Sequence, residues 1–172
     1  EADAHLLSSP VRTGKTYMVG NIISRLWDIG WPRKKSFSPY PIMVVTKANV
    51  VTQFKKDMAR VFGLDIYKEV KITNYDQLRS NFGRDVLDEK WVIKEGEEYL
   101  EYEWIPYLHP ALIVADECHS LKNSDSQQSK IFQAIAKLPK GACFVLYMSA
   151  TVGTRIADFQ AFATTIKAEI GN

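Results

Sequence analysis

Ala111-Leu112-Ile113-Val114-Ala115-Asp116-Glu117-Cys118-His119 sets a continuous apolar run directly against two adjacent carboxylates. An unbroken run of this kind is expected of a parallel strand buried on both faces. Asp116 and Glu117 then emerge at its carboxyl end, the edge at which open α/β sheets bind ligands. Two carboxylates side by side there can divide the work of phosphoryl chemistry. Asp116 would hold magnesium, directly or through water, and Glu117 would polarise an attacking water. The plainer reading is a helix N-cap pair ahead of Leu121.

The stretch that makes the chemical reading the better one lies upstream. Ala4 to Ser9 reads as a short strand, followed by Pro10-Val11-Arg12-Thr13-Gly14-Lys15-Thr16 and then a helical pattern. Strand, loop and helix are the context that turns Gly-Lys-Thr into a phosphate-binding hypothesis. Backbone N–H groups along Arg12, Thr13 and Gly14 and at the helix start would face the phosphates, favoured by the helix dipole. Lys15 would bring an ammonium to the β- and γ-phosphates, and the Thr16 hydroxyl would ligate magnesium. We expect the Lys15 side chain to be mostly solvent-facing in the absence of ligand. The helix has Met18, Ile22, Leu26 and Ile29 on one face, with Val19 and Ile23 beside them. Ser9 stands where the general phosphate-loop pattern has its first glycine, and taken alone the triplet also fits an ordinary strand–turn–helix with a surface lysine.

Downstream, Cys143 to Met148 reads as a second buried strand that delivers Ser149 and Thr151 to the edge of Asp116. With His119, these groups could hydrogen-bond the acidic motif and report on the γ-phosphate. A lone histidine after a strand is also commonly a surface or cap residue. Cys118 is most simply a small buried side chain.

The rest of the chain bounds these readings. At 172 residues and 46% hydrophobic content, one domain with a sizeable core is expected. The net charge of +2 supplies no global field for nucleic acid, so any grip on it must be local. Arg33-Lys34-Lys35 and Lys55-Lys56 are short basic runs, of a kind that is usually solvated surface. Two cysteines without a disulfide pattern point to a reducing, intracellular setting, cytoplasm or nucleus, with a viral origin left open. No apolar stretch approaches a membrane span and no signal peptide opens the chain, so no membrane partner is expected. Oligomeric state is left open.

Strands alternating with helices imply a parallel sheet with right-handed crossovers. One helix carries Val51, Phe54, Met58 and Val61 and stops at Gly63. Another runs from about Ser126 through Ile131, Ile135 and Leu138, ending before Pro139. A last places Ile156, Phe159, Phe162 and Ile166 on one face. Residues 83–110 break the pattern: Trp91-Val92-Ile93 and Tyr99 to Trp104 flank Lys94-Glu95-Gly96-Glu97-Glu98, which reads as a β-hairpin with a glycine turn. We expect this acidic, aromatic hairpin to cover the sheet edge, with partner docking as the alternative.

Taken together, these motifs resemble the first RecA-like domain of superfamily 2 helicases and translocases. Pro10 to Thr16 resembles motif I, with Arg12 where many members carry glycine. Asp116-Glu117-Cys118-His119 is similar to a DExH-type motif II, and Ser149-Ala150-Thr151 to motif III. Ile42 to Val51 with Phe54-Lys55-Lys56 resembles motif Ia of the Swi/Snf-type branch, with Thr46 in place of the usual proline. Ile72-Thr73-Asn74-Tyr75-Asp76-Gln77-Leu78 and His119-Ser120-Leu121-Lys122-Asn123 are similar to further segments of that branch. The resemblance implies an α/β fold, a RecA-like P-loop NTPase three-layer sandwich spanning residues 1–172, with an insertion at about 83–110 and the Cys143–Met148 strand between the phosphate-loop strand and the Asp116 strand. It implies ATP and Mg2+ as cofactors and a DNA-dependent ATPase that moves on nucleic acid, expected to be double-stranded DNA. Lys47, Thr73 and Asn74 would grip the nucleic-acid backbone. The family's second RecA-like domain, with its arginine finger, is expected to lie outside these residues, leaving half a motor with little activity by itself. A different phosphate-loop enzyme, such as a terminase-type packaging ATPase or a small-molecule kinase, and a catalytically silent binding module are the alternatives.

Overall fold

The structure, a computed structural model, describes residues 4–8, 14–31, 38–63, 70–80, 85–121, 123 and 125–150. In chain order its elements are β1 (Ala4–Ser8), α1 (Lys15–Asp28), β2 (Ile42–Thr46), α2 (Ala48–Phe62), β3 (Val70–Asn74) and α3 (Tyr75–Arg79). They continue with β4 (Leu87–Lys94), β5 (Glu97–Trp104), β6 (Leu112–Asp116), a 3₁₀ turn at Cys118–Leu121, α4 (Gln127–Gln133), a second 3₁₀ turn at Ala134–Lys137, and β7 (Phe144–Ser149).

Five strands form one sheet in the order β1-β7-β6-β2-β3, and every neighbouring pair is parallel. β7 therefore lies between the strand that leads to the phosphate loop and the strand that carries Asp116, as the sequence predicts. The central strands read as unbroken apolar runs because helices cover both faces. Along β2, Ile42 and Val44 join Val19, Ile23, Phe54 and Met58 of α1 and α2 in one core cluster. Met43 and Val45 point the other way, into a second cluster with Tyr75, Leu78, Ile131 and Phe132 of α3 and α4. β6 divides in the same manner, Leu112 and Val114 against Ile113 and Ala115. The result is three layers with two cores.

Several local expectations need correction. The buried face of α1 is Val19 and Ile23, flanked by half-buried Leu26 and Trp27. Met18 and Ile29 are 38% and 62% exposed. The packing thus follows one side of the apolar arc, because α2 touches α1 from that side. α4 gives way to a 3₁₀ turn after Gln133, so Ile135 packs from a tighter coil than the sequence suggests. Gly63 closes α2 in the left-handed conformation (φ 55), where glycine carries no Cβ penalty. The expected helix through Ile156, Phe159, Phe162 and Ile166 lies outside the described residues. Among the described residues no helix is long and apolar enough to cross a membrane.

The hairpin exists but is longer and differently placed. Its turn is only Glu95-Gly96, both at positive φ (53 and 86), and Lys94 pairs directly with Glu97. Two left-handed residues in a row suit the twist of a two-residue hairpin turn. β4 and β5 form their own two-stranded sheet, whereas the edges of the main sheet are β1 and β3. The hairpin therefore does not extend the main sheet at either edge. β5 packs on α4 and the 3₁₀ turn after it, with Trp104 and Tyr102 almost fully buried and the Trp104 indole donating to the Ile131 carbonyl at 3.2 Å. It covers a helix layer.

Candidate functional site

At the start of α1, Gly14 takes a left-handed backbone (φ 75, ψ 28) as the helix N-cap, and its carbonyl accepts from Met18 N at 3.0 Å. A side chain at that φ would be strained, which explains the glycine. Lys15 and Thr16 are the first two residues of the helix, where backbone N–H groups lack intrahelical partners. Contrary to the expectation of a solvent-facing lysine, the Lys15 side chain is only 12% exposed. It lies 3.8 Å from Glu117 Oε1, close enough for attraction and too long for a hydrogen bond. Among the described residues its buried ammonium has no hydrogen-bond partner. A buried cation left in this condition suits an anionic ligand. Ser9, Pro10, Val11, Arg12 and Thr13 lie outside the described residues.

β6 delivers the carboxylates. Asp116 is 7% exposed at the strand end, and Glu117 turns out of the strand at φ 54, a conformation unusual for a residue with a side chain. Such backbone strain is commonly retained at functional positions. Glu117 leads directly into the 3₁₀ turn at Cys118–Leu121, its carbonyl accepting from Ser120 N at 3.1 Å. Burial pushes the Asp116 carboxyl above the usual aspartate range. A hydrogen bond from the Thr46 hydroxyl (2.8 Å to Oδ2) opposes that rise, and the neighbouring Glu117 charge adds to it. The Tyr75 hydroxyl donates to the Asp116 carbonyl at 2.7 Å, and burial holds this phenol well above its ordinary pKa, keeping it a donor. Cys118 is fully buried and its thiol is pushed up to about 12, chiefly by burial, consistent with a packing role.

A relay runs from the acidic motif toward β7. His119 Nδ1 stands 3.1 Å from Glu117 Oε2 and 3.2 Å from Ser149 Oγ. Ser149 is fully buried at the end of β7, beside the strand that leads to the phosphate loop. His119 and Ser149 are thus brought to Glu117, while Thr151 lies outside the described residues. Lys15, Glu117, His119 and Ser149 form one chain of contacts across three strand ends.

No group of three or more His, Cys, Asp or Glu side chains among the described residues could cage a metal. Magnesium does not require one, since it is commonly held by one or two carboxylates with substrate phosphates and waters. Asp116, 7% exposed at the end of β6, is a carboxylate of the kind such binding uses.

The expected nucleic-acid residues divide. Lys47 is exposed at the carboxyl end of β2, where it caps α2. Asn74 is half-buried and its side chain caps α3, accepting from Gln77 N at 2.8 Å. Thr73 does not fit: it is fully buried, and its hydroxyl donates to Gln77 Oε1 at 2.9 Å, so its side chain is turned away from any backbone outside. Thr46 and Tyr75 both hydrogen-bond Asp116, contacts that motif reading did not foresee. A polar residue ending the Ile42–Val45 apolar run was the available signal for Thr46.

The fold is similar to that of the Sulfolobus solfataricus SWI2/SNF2 ATPase core in complex with dsDNA, at TM-score 0.59 and 16% identity. The likeness covers 94% of this chain and 31% of that one. It is also similar to the Pyrococcus furiosus Hef helicase domain, at TM-score 0.56 and 15% identity, over 98% of this chain and 34% of that one. The chain thus spans about a third of the structures it resembles, and the layered parallel sheet is the RecA-like fold. No curated protein matches it in sequence. The family described as type III restriction enzyme, res subunit, matches residues 2–154, a span that contains Gly14, Lys15, the acidic pair and Ser149 alike. Parallel strands, a glycine-led helix start and paired carboxylates at one sheet edge all lie inside that span, and the chain belongs to the type III restriction enzyme res-subunit family.

Proposed function

We propose that this chain is the ATP-binding motor domain of a nucleic-acid-dependent ATPase of the helicase or translocase type. The observation that carries the reading is the buried Lys15 ammonium, 3.8 Å from Glu117 and without a hydrogen-bond partner among the described residues. Arg12, Thr13, Gly14, Lys15 and Thr16 would bind the triphosphate as a Walker-type loop. Asp116 and Thr16 would hold magnesium, which when bound screens the phosphate charge and polarises the γ-phosphoryl group. Glu117 would orient and deprotonate the attacking water as the catalytic base of a DExH-type motif. Lys15 and His119 both contact it, so phosphate binding at Lys15 would draw away one of the two groups that restrain it. His119, Ser149 and Thr151 would pass that change to the sheet edge.

We further propose double-stranded DNA as the nucleic acid, gripped by Lys47 and Asn74, and a second RecA-like domain that closes the site with an arginine. Support comes from the fold likeness to a DNA-bound ATPase core and from the exposure of Lys47 on the same sheet edge as Asp116. With only +2 net charge the chain alone would hold DNA weakly, and more weakly with rising salt. An intracellular setting follows from the same function.

Lys15→Met tests the core of the proposal. A charge-assisted hydrogen bond contributes about 1.5–3 kcal/mol, so nucleotide affinity should fall on the order of 10- to 100-fold in calorimetry. Because the variant removes an unpartnered buried ammonium, its melting temperature should match or exceed that of the unsubstituted chain. Unchanged affinity would sink the phosphate-loop assignment. Separately, phosphate release by residues 1–172 should be close to background with or without DNA, and robust DNA-stimulated turnover would remove the need for a second domain.

A further inference from the structure

We infer that Thr46 is a positioning residue for the magnesium-binding carboxylate, its hydroxyl fixing the orientation of Asp116; the inference rests on the ATP-site reading above. β2 carries Ile42, Met43, Val44 and Val45, all fully buried, and ends on a threonine that is buried just as completely. A hydroxyl taken out of water at such a place is costly unless it finds a partner. Its partner is Asp116 Oδ2, at 2.8 Å.

The geometry makes this bond a continuation of the sheet. β2 and β6 are neighbours with Val45 opposite Ala115, so Thr46 and Asp116 stand one step beyond the last paired residues. The backbone ladder thus sets the distance, and the hydroxyl engages one carboxylate oxygen. Tyr75 holds the same aspartate from the other side, through its carbonyl. Side chain and main chain of Asp116 are therefore restrained separately, from the ends of two different strands. Proline, which similar motifs carry at position 46, could make neither the donation nor the restraint.

Both restraining residues also adjoin the candidate nucleic-acid edge. Thr46 immediately precedes exposed Lys47, and Tyr75 immediately follows Asn74. A carboxylate that binds metal through an oriented oxygen depends on the groups that orient it, and removing such a partner typically lowers metal affinity about 10- to 100-fold.

The experiment is a calorimetric titration of a non-hydrolysable ATP analogue into the chain, with and without magnesium, for the unsubstituted protein, Thr46→Val and Thr46→Ser. Thr46→Val keeps the shape and loses the donor, so the magnesium-dependent gain in affinity should fall about 10- to 100-fold while magnesium-free binding stays as it was. Thr46→Ser restores the hydroxyl and should restore the gain. Should Thr46→Val fail to fold, Thr46→Cys takes its place, since a thiol is a weak donor. A full magnesium effect in the donor-less variant would overturn the inference, and so would a serine variant as weak as the valine one. Absence of any magnesium effect in the unsubstituted chain is a different failure: it would remove the metal role of Asp116, and this inference with it.

Discussion

Lys15 and Glu117 face each other across 3.8 Å at the carboxyl edge of the sheet, with side chains 12% and 26% exposed. On the β4–β5 hairpin, Lys90 pairs with Glu103 and Lys94 with Glu101, with the lysines 59% and 63% exposed. The residue types are the same and the physics differs. On the hairpin, water solvates whatever the partner does not, so each pair orders a surface and contributes little beyond register. At the sheet edge, burial strengthens every electrostatic term, and among the described residues the loose contact leaves the ammonium short of partners. The first arrangement is complete without a ligand. The second is incomplete, and that incompleteness suits it to binding.

If that contrast is right, Glu117→Gln should show the largest effect. In a protein that includes the proposed second domain, loss of the basic oxygen should lower ATP turnover by about 10²–10⁴, with nucleotide affinity retained. Single-turnover phosphate release alongside equilibrium binding would show this. A variant that hydrolyses normally would make Glu117 no more than a surface partner for Lys15, on a par with the hairpin pairs.

Trp104→Ala probes what holds the hairpin in place if its exposed ion pairs do not. The indole is 2% exposed against α4, so truncation should destabilise the chain by about 3–5 kcal/mol in denaturant melts. Nucleotide affinity of the folded protein should not change, because Trp104 packs on α4 rather than on Lys15 or Asp116. Loss of affinity in parallel with stability would tie the two regions together and break the contrast.

The smallest effect belongs to Lys137→Ala. Lys94 and Lys137 bond Glu101 and hold its carboxyl down to about 2, from an ordinary value of 4.5. A depressed carboxylate contributes stability that is present above pH 4.5 and lost as pH falls toward 2. The melting-temperature gap between the variant and the unsubstituted chain should therefore be open at neutral pH and close on acidification. Its size should be about 0.2–1 kcal/mol, as for exposed pairs. A gap that widened in acid would show that Lys137 acts through packing and not charge.

What the sequence by itself determined was whatever short-range chemistry dictates. Continuous apolar runs at 42–45 and 112–115 called for strands buried on both faces. Strand, loop and helix around Gly14 marked a phosphate-loop candidate, and the Gly-Lys-Thr and Asp-Glu groups named the chemistry. The place of β7 between β1 and β6 followed from the family resemblance that those motifs carry. Tertiary packing decided the rest, because it depends on which residues distant in the chain come to lie side by side. No periodicity distinguishes Val19 and Ile23 from Met18 and Ile29, since the arc of α1 that is buried is the one α2 covers. The hairpin pattern was legible, yet its seat on α4 needed the Trp104 indole to find the Ile131 carbonyl. Lys15 reads as a surface residue in any local window, and the fold brings it to the end of β6, 3.8 Å from Glu117. Thr73 and Thr46 each follow a buried apolar residue near a strand end. The neighbouring strand and helix alone commit one hydroxyl to Gln77 and the other to the carboxylate at the centre of the site.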